Sequence, residues 1–216
     1  MPIIAPSTKE VIVLVAERLF AQHGIHGVSL RQIGAAAGTS NNSAVQYHFG
    51  SKDGLIEAIF GYRVPGIHQR RALLIAERRP RDLRGWVECH VLTTMEQGEL
   101  PGSHYLGFLS VLVQHEGSRV LRRLPQDAQR EALELRDQLA EQLAHLPPPL
   151  RLHRIGQATL FTIRAAADRE RAHAEGQPLL DFAVEATDLV DGMTGFLQAP
   201  ASEATLFALA ARNDHR

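Results

Sequence analysis

Between positions 39 and 52 the chain sets out a dense run of side chains that donate and accept hydrogen bonds. Asn41, Asn42, Ser43 and Gln46 carry amides and a hydroxyl. A planar amide matches the N6/N7 edge of adenine, and serine tolerates any base. Tyr47, His48 and Lys52 follow, with a phenol, an imidazole and an ammonium suited to phosphate oxygens, which carry no sequence information. Chemistry of this kind suits recognition of a duplex rather than bond making, the alternative being that these groups cap and solvate a surface helix. Asn41, Asn42, Ser43 and Gln46 are the candidate base readers, with Thr39 and Ser40 as the next choice.

Two short helices and a turn must position these groups. Ser29 and Gln32 form an S-x-x-Q capping box that opens a helix with Leu30, Ile33 and Ala37 on its apolar face. Gly34 weakens that helix by about 1 kcal/mol relative to alanine, but its missing side chain allows another helix to pack close. Gly38 can adopt the left-handed conformation that ends it. After the turn, Asn41, Asn42 and Ser43 are good N-terminal residues, and Ala44, Val45 and Phe49 supply apolar contact. A bracing helix followed by a polar one is the build of a helix-turn-helix. Before it, a helix is expected over 8–23, with Ile12, Val15, Ala16, Leu19 and Phe20 inward and Gly24 at its end. After it, a helix starts at Ser51 and carries Leu55, Ile56, Ile59 and Phe60 inward.

The stretch Tyr47-His-Phe-Gly-Ser-Lys-Asp-Gly-Leu-Ile-Glu-Ala-Ile-Phe60 resembles the TetR family of bacterial transcriptional repressors. Ala16-Glu-Arg-Leu-Phe-Ala-Gln-His-Gly24, Val28-Ser29-Leu30 and Ile33-Gly-Ala-Ala-Ala-Gly38 fit the same pattern. The likeness covers about residues 8 to 60. Gln46 stands where the family usually has tyrosine, and one extra residue falls between Gly38 and Phe49. The resemblance implies a helix-turn-helix DNA-binding domain over 1–50 and a helical effector-binding and dimerisation domain over 51–216. It implies operator DNA, a second copy of the chain and a small-molecule effector as partners. With Ser29 and Arg31 added, the candidate DNA-contacting set is Ser29, Arg31, Thr39, Ser40, Asn41, Asn42, Ser43, Gln46, Tyr47, His48 and Lys52. The implied ligand site lies on the middle helices, near Trp86, His90, Met95, Tyr105, Phe108, His115, Phe161 and Arg164. Arg164 can instead pair with Asp168 one turn on.

Composition bounds these readings. The 216 residues are 44% hydrophobic, ample for a core, and the net charge is −1. Within 1–52, Lys9, Arg18, Arg31 and Lys52 oppose Glu10 and Glu17, a net of +2. So small a positive charge holds phosphate weakly, which argues for two copies on one operator. The single cysteine, Cys89, excludes an intrachain disulfide and suits a reducing cytoplasm. The longest apolar run near the start, 11–15, is far short of a membrane span.

The remaining chain reads as further helices between proline and glycine breaks, all-α with roughly ten helices and no strand alternation. A bend or break is expected at Val64-Pro65-Gly66. The last two long helices, 150–174 and 179–197, carry small residues and apolar residues on more than one face, as a four-helix bundle formed by two chains requires. Arg63, Arg70, Arg71 and Arg78 read as a solvated helix face rather than an anion site. No HExxH, CxxC, phosphate loop or nucleophile elbow occurs, so no metal, cofactor or catalytic centre is expected. The combined expectation is a homodimeric repressor released from a palindromic operator by a small effector. The alternatives are a helical interaction adaptor and a small enzyme built on Cys89 and His90.

Overall fold

A computed structural model describes residues 7–39 and 44–213. Among them are ten α-helices and one short 3-10 helix, with no strand. The N-terminal helices are α1 (Thr8–Gly27), α2 (Leu30–Ala36) and α3 (Ala44–Phe49). The larger helical part comprises α4 (Lys52–Arg78), α5 (Leu83–Gly98), α6 (Tyr105–Glu116), the 3-10 helix Gly117–Arg123, α7 (Gln126–Gln142), α8 (Pro148–Ala174), α9 (Phe182–Gln198) and α10 (Glu203–Asn213). An all-helical chain with an N-terminal helix-turn-helix is thus what the sequence folds into.

Local chemistry explains most boundaries. α1 opens on a Ser7–Glu10 capping box. Gly24, at φ 75 and ψ 158, interrupts it where the sequence places its end, and one further turn follows. α4 differs from expectation, because it runs unbroken through Pro65. Proline removes one backbone bond, but Val64 and Leu74 are buried on either side of it, with Ile59 and Phe60 a turn earlier. Tertiary burial of that face outweighs the local loss. The proline run 147–149 also acts differently from its expected role as a terminator. α7 has already ended at Gln142, and Pro148 and Pro149 form the first turn of α8, where a missing N–H costs nothing.

One core unites the two parts. Phe20 of α1, Phe60 of α4, and Tyr105 and Phe108 of α6 meet with ring centroids 5.7–6.5 Å apart. α1 packs chiefly on α6, and α6 in turn on α8. Beside the aromatic cluster, Glu17 of α1 is 1% exposed and takes a two-pronged bond from Arg63 of α4, at 2.7 and 2.6 Å. The backbone N–H of His104 also donates to Glu17, at 3.0 Å.

Phe108 is 0% exposed, so Phe108→Ala is expected to cost about 3–5 kcal/mol of unfolding free energy in urea. Glu17→Ala strands a buried guanidinium and is expected to cost a similar amount, about 3–5 kcal/mol, in the same measurement. A loss below about 1 kcal/mol in either variant contradicts this packing.

Candidate functional site

The helix-turn-helix is assembled from short-range bonds. Gln32 N–H donates to the Ser29 hydroxyl at 3.2 Å, and the Ser29 N–H donates to Gln32 Oε1 at 2.8 Å, completing the expected capping box. Gly38 ends α2 at φ +67. The Thr39 hydroxyl donates to the Gly34 carbonyl at 3.0 Å. A Cβ on Gly34 would sit 3.2 Å from Thr39 Oγ1 and 3.3 Å from Val45 Cγ2, so α2 and α3 approach as closely as the glycine suggested. A Cβ on Gly54 would lie 2.1 Å from the Phe49 carbonyl oxygen. The turn from α3 into α4 therefore has no room for a side chain there.

Val45 anchors α3 in the core, while Gln46, Tyr47 and His48 project outward. Tyr47 is 85% exposed, with its ring 5.2 Å from that of His48. So exposed an aromatic ring is accessible to a partner molecule. Arg31 is also exposed, beside the capping Ser29. Three candidates have their polar groups engaged within the protein. Thr39 faces α2, as described. Gln46 Nε2 donates to the Gly50 carbonyl at 2.6 Å, closing the C-terminus of α3. Lys52 Nζ donates to the carbonyls of Ile25 and His26 at 2.9 and 3.5 Å, engaging two of its three donors in bracing the end of α1. Ser40, Asn41, Asn42 and Ser43 lie outside the described residues.

The larger part encloses a cavity of about 470 Å³ between α4, α5, α6, α7 and α8, within the usual size of small-molecule sites, roughly 300–1,000 Å³. Its walls are mostly apolar, with Ile67, Leu109, Val113, Leu135 and Ile155 prominent. Polar groups gather on α4 and α5. His68 Nδ1 is 3.1 Å from Glu131 Oε1, and Arg71 Nη1 is 4.0 Å from Glu131 Oε2. Arg71 Nε and both ring nitrogens of His90 are buried with no hydrogen-bond partner. Burial, and then the Arg71 charge, pushes His90 down to about 4, which leaves the imidazole neutral at pH 7. Burial lowers Arg71 as well, partly offset by Glu131, and raises the Tyr105 phenol.

Of the residues proposed for a ligand site, His90 and Tyr105 line this cavity. The others stand elsewhere. Met95 and Phe108 are closed in the core, and Trp86 is half-buried outside the lining. His115 is exposed, edge-on to His26 at 5.6 Å. Phe161 is 56% exposed on the outer face of α8. Arg164 is exposed and pairs with Asp168 at 2.9 Å, its simpler reading. Cys89 is buried, and burial raises its thiol.

The arginines of α4 depart from the expected solvated face. Arg63 is bonded to Glu17, Arg70 to Glu96 at 2.7 Å and Arg78 to Glu88 at 3.3 Å, while Arg71 enters the cavity. The signal for Arg71 was its register. Val64, Ile67, Arg71 and Leu74 fall on one face at three- and four-residue steps, so a charge there points where apolar neighbours point. Glu131 carried no comparable sign. Among the described residues no group of three or more His, Cys, Asp or Glu side chains is placed to hold a metal ion. No helix among them is long and apolar enough to cross a membrane.

Residues 12–59 match the family model described as bacterial regulatory proteins, tetR family. No curated protein matches the chain. Solved structures similar to it include a putative tetR family transcription regulator from Shewanella sp. PV-4, at 20% identity and TM-score 0.53, covering 88% of this chain and 97% of that one. Mycobacterium smegmatis AmtR is similar at 17% identity and TM-score 0.55, covering 99% and 97%. AibR, solved in complex with isovaleryl coenzyme A and operator DNA, is similar at 14% identity and TM-score 0.50, covering 90% and 100%. At such identities the likeness to these three is one of fold. Over residues 12–59 the chain thus carries a segment matching the tetR family of bacterial regulatory proteins, on an all-helical fold similar to those solved structures.

Proposed function

We propose that the chain is a homodimeric transcriptional repressor, with its DNA-binding domain over 1–50 and its effector and dimerisation domain over 51–216. Its α3 helices would enter successive major grooves of a palindromic operator, and a small molecule in the cavity would release it. The observation that carries this reading is the course of α4. The first residue of α4, Lys52, is bonded to the end of α1, and its middle, through Val64, Ile67 and Arg71, forms a wall of the cavity. One rigid helix therefore reaches from the helix-turn-helix to the cavity. A ligand that prefers one position of α4 shifts the spacing of the two headpieces, provided that it binds the DNA-incompetent form more tightly. The solved AibR complex, with a coenzyme A thioester and operator DNA on a similar fold, is in keeping with such an arrangement.

Dimerisation through α8 and α9 is supported by their outer faces. Phe161 on α8 and Val184 and Phe196 on α9 are exposed large apolar side chains outside the cavity lining. On α9 a Cβ on Gly192 or Gly195 would touch nothing, leaving room for another helix to come close. Stable interfaces of this kind bury upward of about 1,000 Å².

Selection of binding duplexes from a random pool, followed by gel shift, tests the DNA reading directly, and recovery of no palindromic site would defeat it. Tyr47→Ala is expected to leave the fold and oligomeric state unchanged, because the ring packs on nothing in the core. It is expected to weaken binding to the selected duplex and to non-cognate DNA by similar factors. A change in base preference alone would reassign Tyr47 as a reader. Phe161→Asp is expected to convert the sedimenting species from dimer to monomer at micromolar concentration; a wild-type monomer, or an unchanged dimer in the variant, argues against this interface.

A further inference from the structure

We propose that the cavity selects a monoanionic amphiphile, a single carboxylate on an apolar body, with Arg71 and His90 as the groups that seat the carboxylate. The inference rests on the effector reading above and adds the chemical class of the effector.

Three features of the cavity lead to it. The first is the set of unsatisfied groups. Buried polar atoms almost always find partners, yet Arg71 Nε and both nitrogens of His90 have none. Arg71 is donor-only, and a neutral imidazole offers one N–H. What the pair lacks is an acceptor with two oxygens. Arg71 is among the causes that keep His90 neutral, so the two groups are within electrostatic reach of each other. The second feature is that neighbouring donors are already used. The Thr93 hydroxyl donates to the Cys89 carbonyl at 2.7 Å, the Thr94 hydroxyl to the His90 backbone carbonyl at 2.9 Å and Gln97 Nε2 to the Thr93 backbone carbonyl at 3.4 Å. These side chains hold their own helix, so the donors facing the cavity from α4 and α5 are Arg71 and His90, with the Tyr105 hydroxyl beside them on α6. The third feature is the remaining wall, which is largely apolar and suits a hydrocarbon or aromatic body.

The sign and number of charges follow from the same residues. A cationic ligand would need Glu131, but that carboxylate is already matched by His68 at 3.1 Å and faces Arg71 at 4.0 Å. A dianion such as a phosphate monoester would set its second charge against Glu131, while the other arginine lining the cavity, Arg136, is already paired with Asp137 at 2.6 Å. A single carboxylate supplies the acceptor that Arg71 Nε and the His90 N–H lack. A carboxylate on Arg71 makes the charge-assisted contact that a neutral ligand of the same shape cannot make.

The test is calorimetric titration of the full chain with decanoate, 1-decanol and decyltrimethylammonium, three probes sharing one apolar tail. Decanoate is expected to bind at least about tenfold more tightly than either of the others. Arg71→Gln is expected to remove that preference, and Arg71→Lys to restore part of it. The comparison of probes on the wild-type chain stands even if a variant fails to fold. Equal binding of the alcohol or the ammonium, no binding of any probe, or an undiminished preference in a folded Arg71→Gln chain overturns the inference. Duplex selection on the same preparation separates the two readings. Decanoate preference with no duplex recovered leaves the ligand class standing and defeats the regulator. A recovered operator with no decanoate preference does the reverse.

Discussion

Two buried carboxylates at the N-terminus of α6 hold the molecule together. Glu17, from α1, accepts the His104 N–H. Glu170, from α8, accepts the N–H groups of Leu106 and Gly107 at 3.3 and 2.8 Å and the Ser103 hydroxyl at 2.9 Å. The first amides of a helix have no partner within it, and they carry the positive end of its dipole. Here their partners come from the DNA-reading part on one side and the proposed dimer helix on the other. Arg63 balances the charge of Glu17 from α4. Three helices far apart in sequence, α1, α4 and α8, thus converge on one end of a fourth, and none can move independently without exposing a buried charge. Gly107 makes the convergence possible, since a Cβ there would lie 3.1 Å from Ala21 Cβ and 3.4 Å from Glu170 Oε2.

That junction borders the cavity. Tyr105 is packed against Phe60 and Phe108 on one side and lines the cavity on the other. α4 likewise contributes Arg63 to the junction and Arg71, two turns later, to the cavity wall. A molecule that draws Arg71 towards itself acts on the same rigid helix whose partner residue clamps α1. Coupling between sites needs such a shared element whose position both sites bias.

The arginines of α4 show how differently one residue type is used along a single helix. Arg63 satisfies a buried acid, Arg70 and Arg78 tie α4 to α5 through Glu96 and Glu88, and Arg71 has its Nε left open in the cavity. Their spacing alone describes a charged stripe. Their separate roles come from what α1, α5 and α7 place opposite each one.

Features that depend on residues within about one turn were legible in the sequence. The Ser29–Gln32 cap, the left-handed Gly38, the break at Gly24 and the alternation of helix and turn through 8–60 are all settled by neighbours three to five positions away. The resemblance over that segment was readable for the same reason. The cavity was not. His90 and Tyr105 were picked as polar groups on middle helices, but Phe108, of the same aromatic character, is core. Phe161 faces outward and Arg164 closes on its own helix. Arg71 and Glu131 lie sixty positions apart and meet only because α4 and α7 pack across the same space. The continuity of α4 through Pro65 was decided in the same way, by burial against distant helices rather than by the proline itself. Local backbone chemistry determined where this chain turns and caps, whereas the facing of each helix, and with it the identity of every buried charge, belonged to tertiary packing, because burial is a property of what lies opposite.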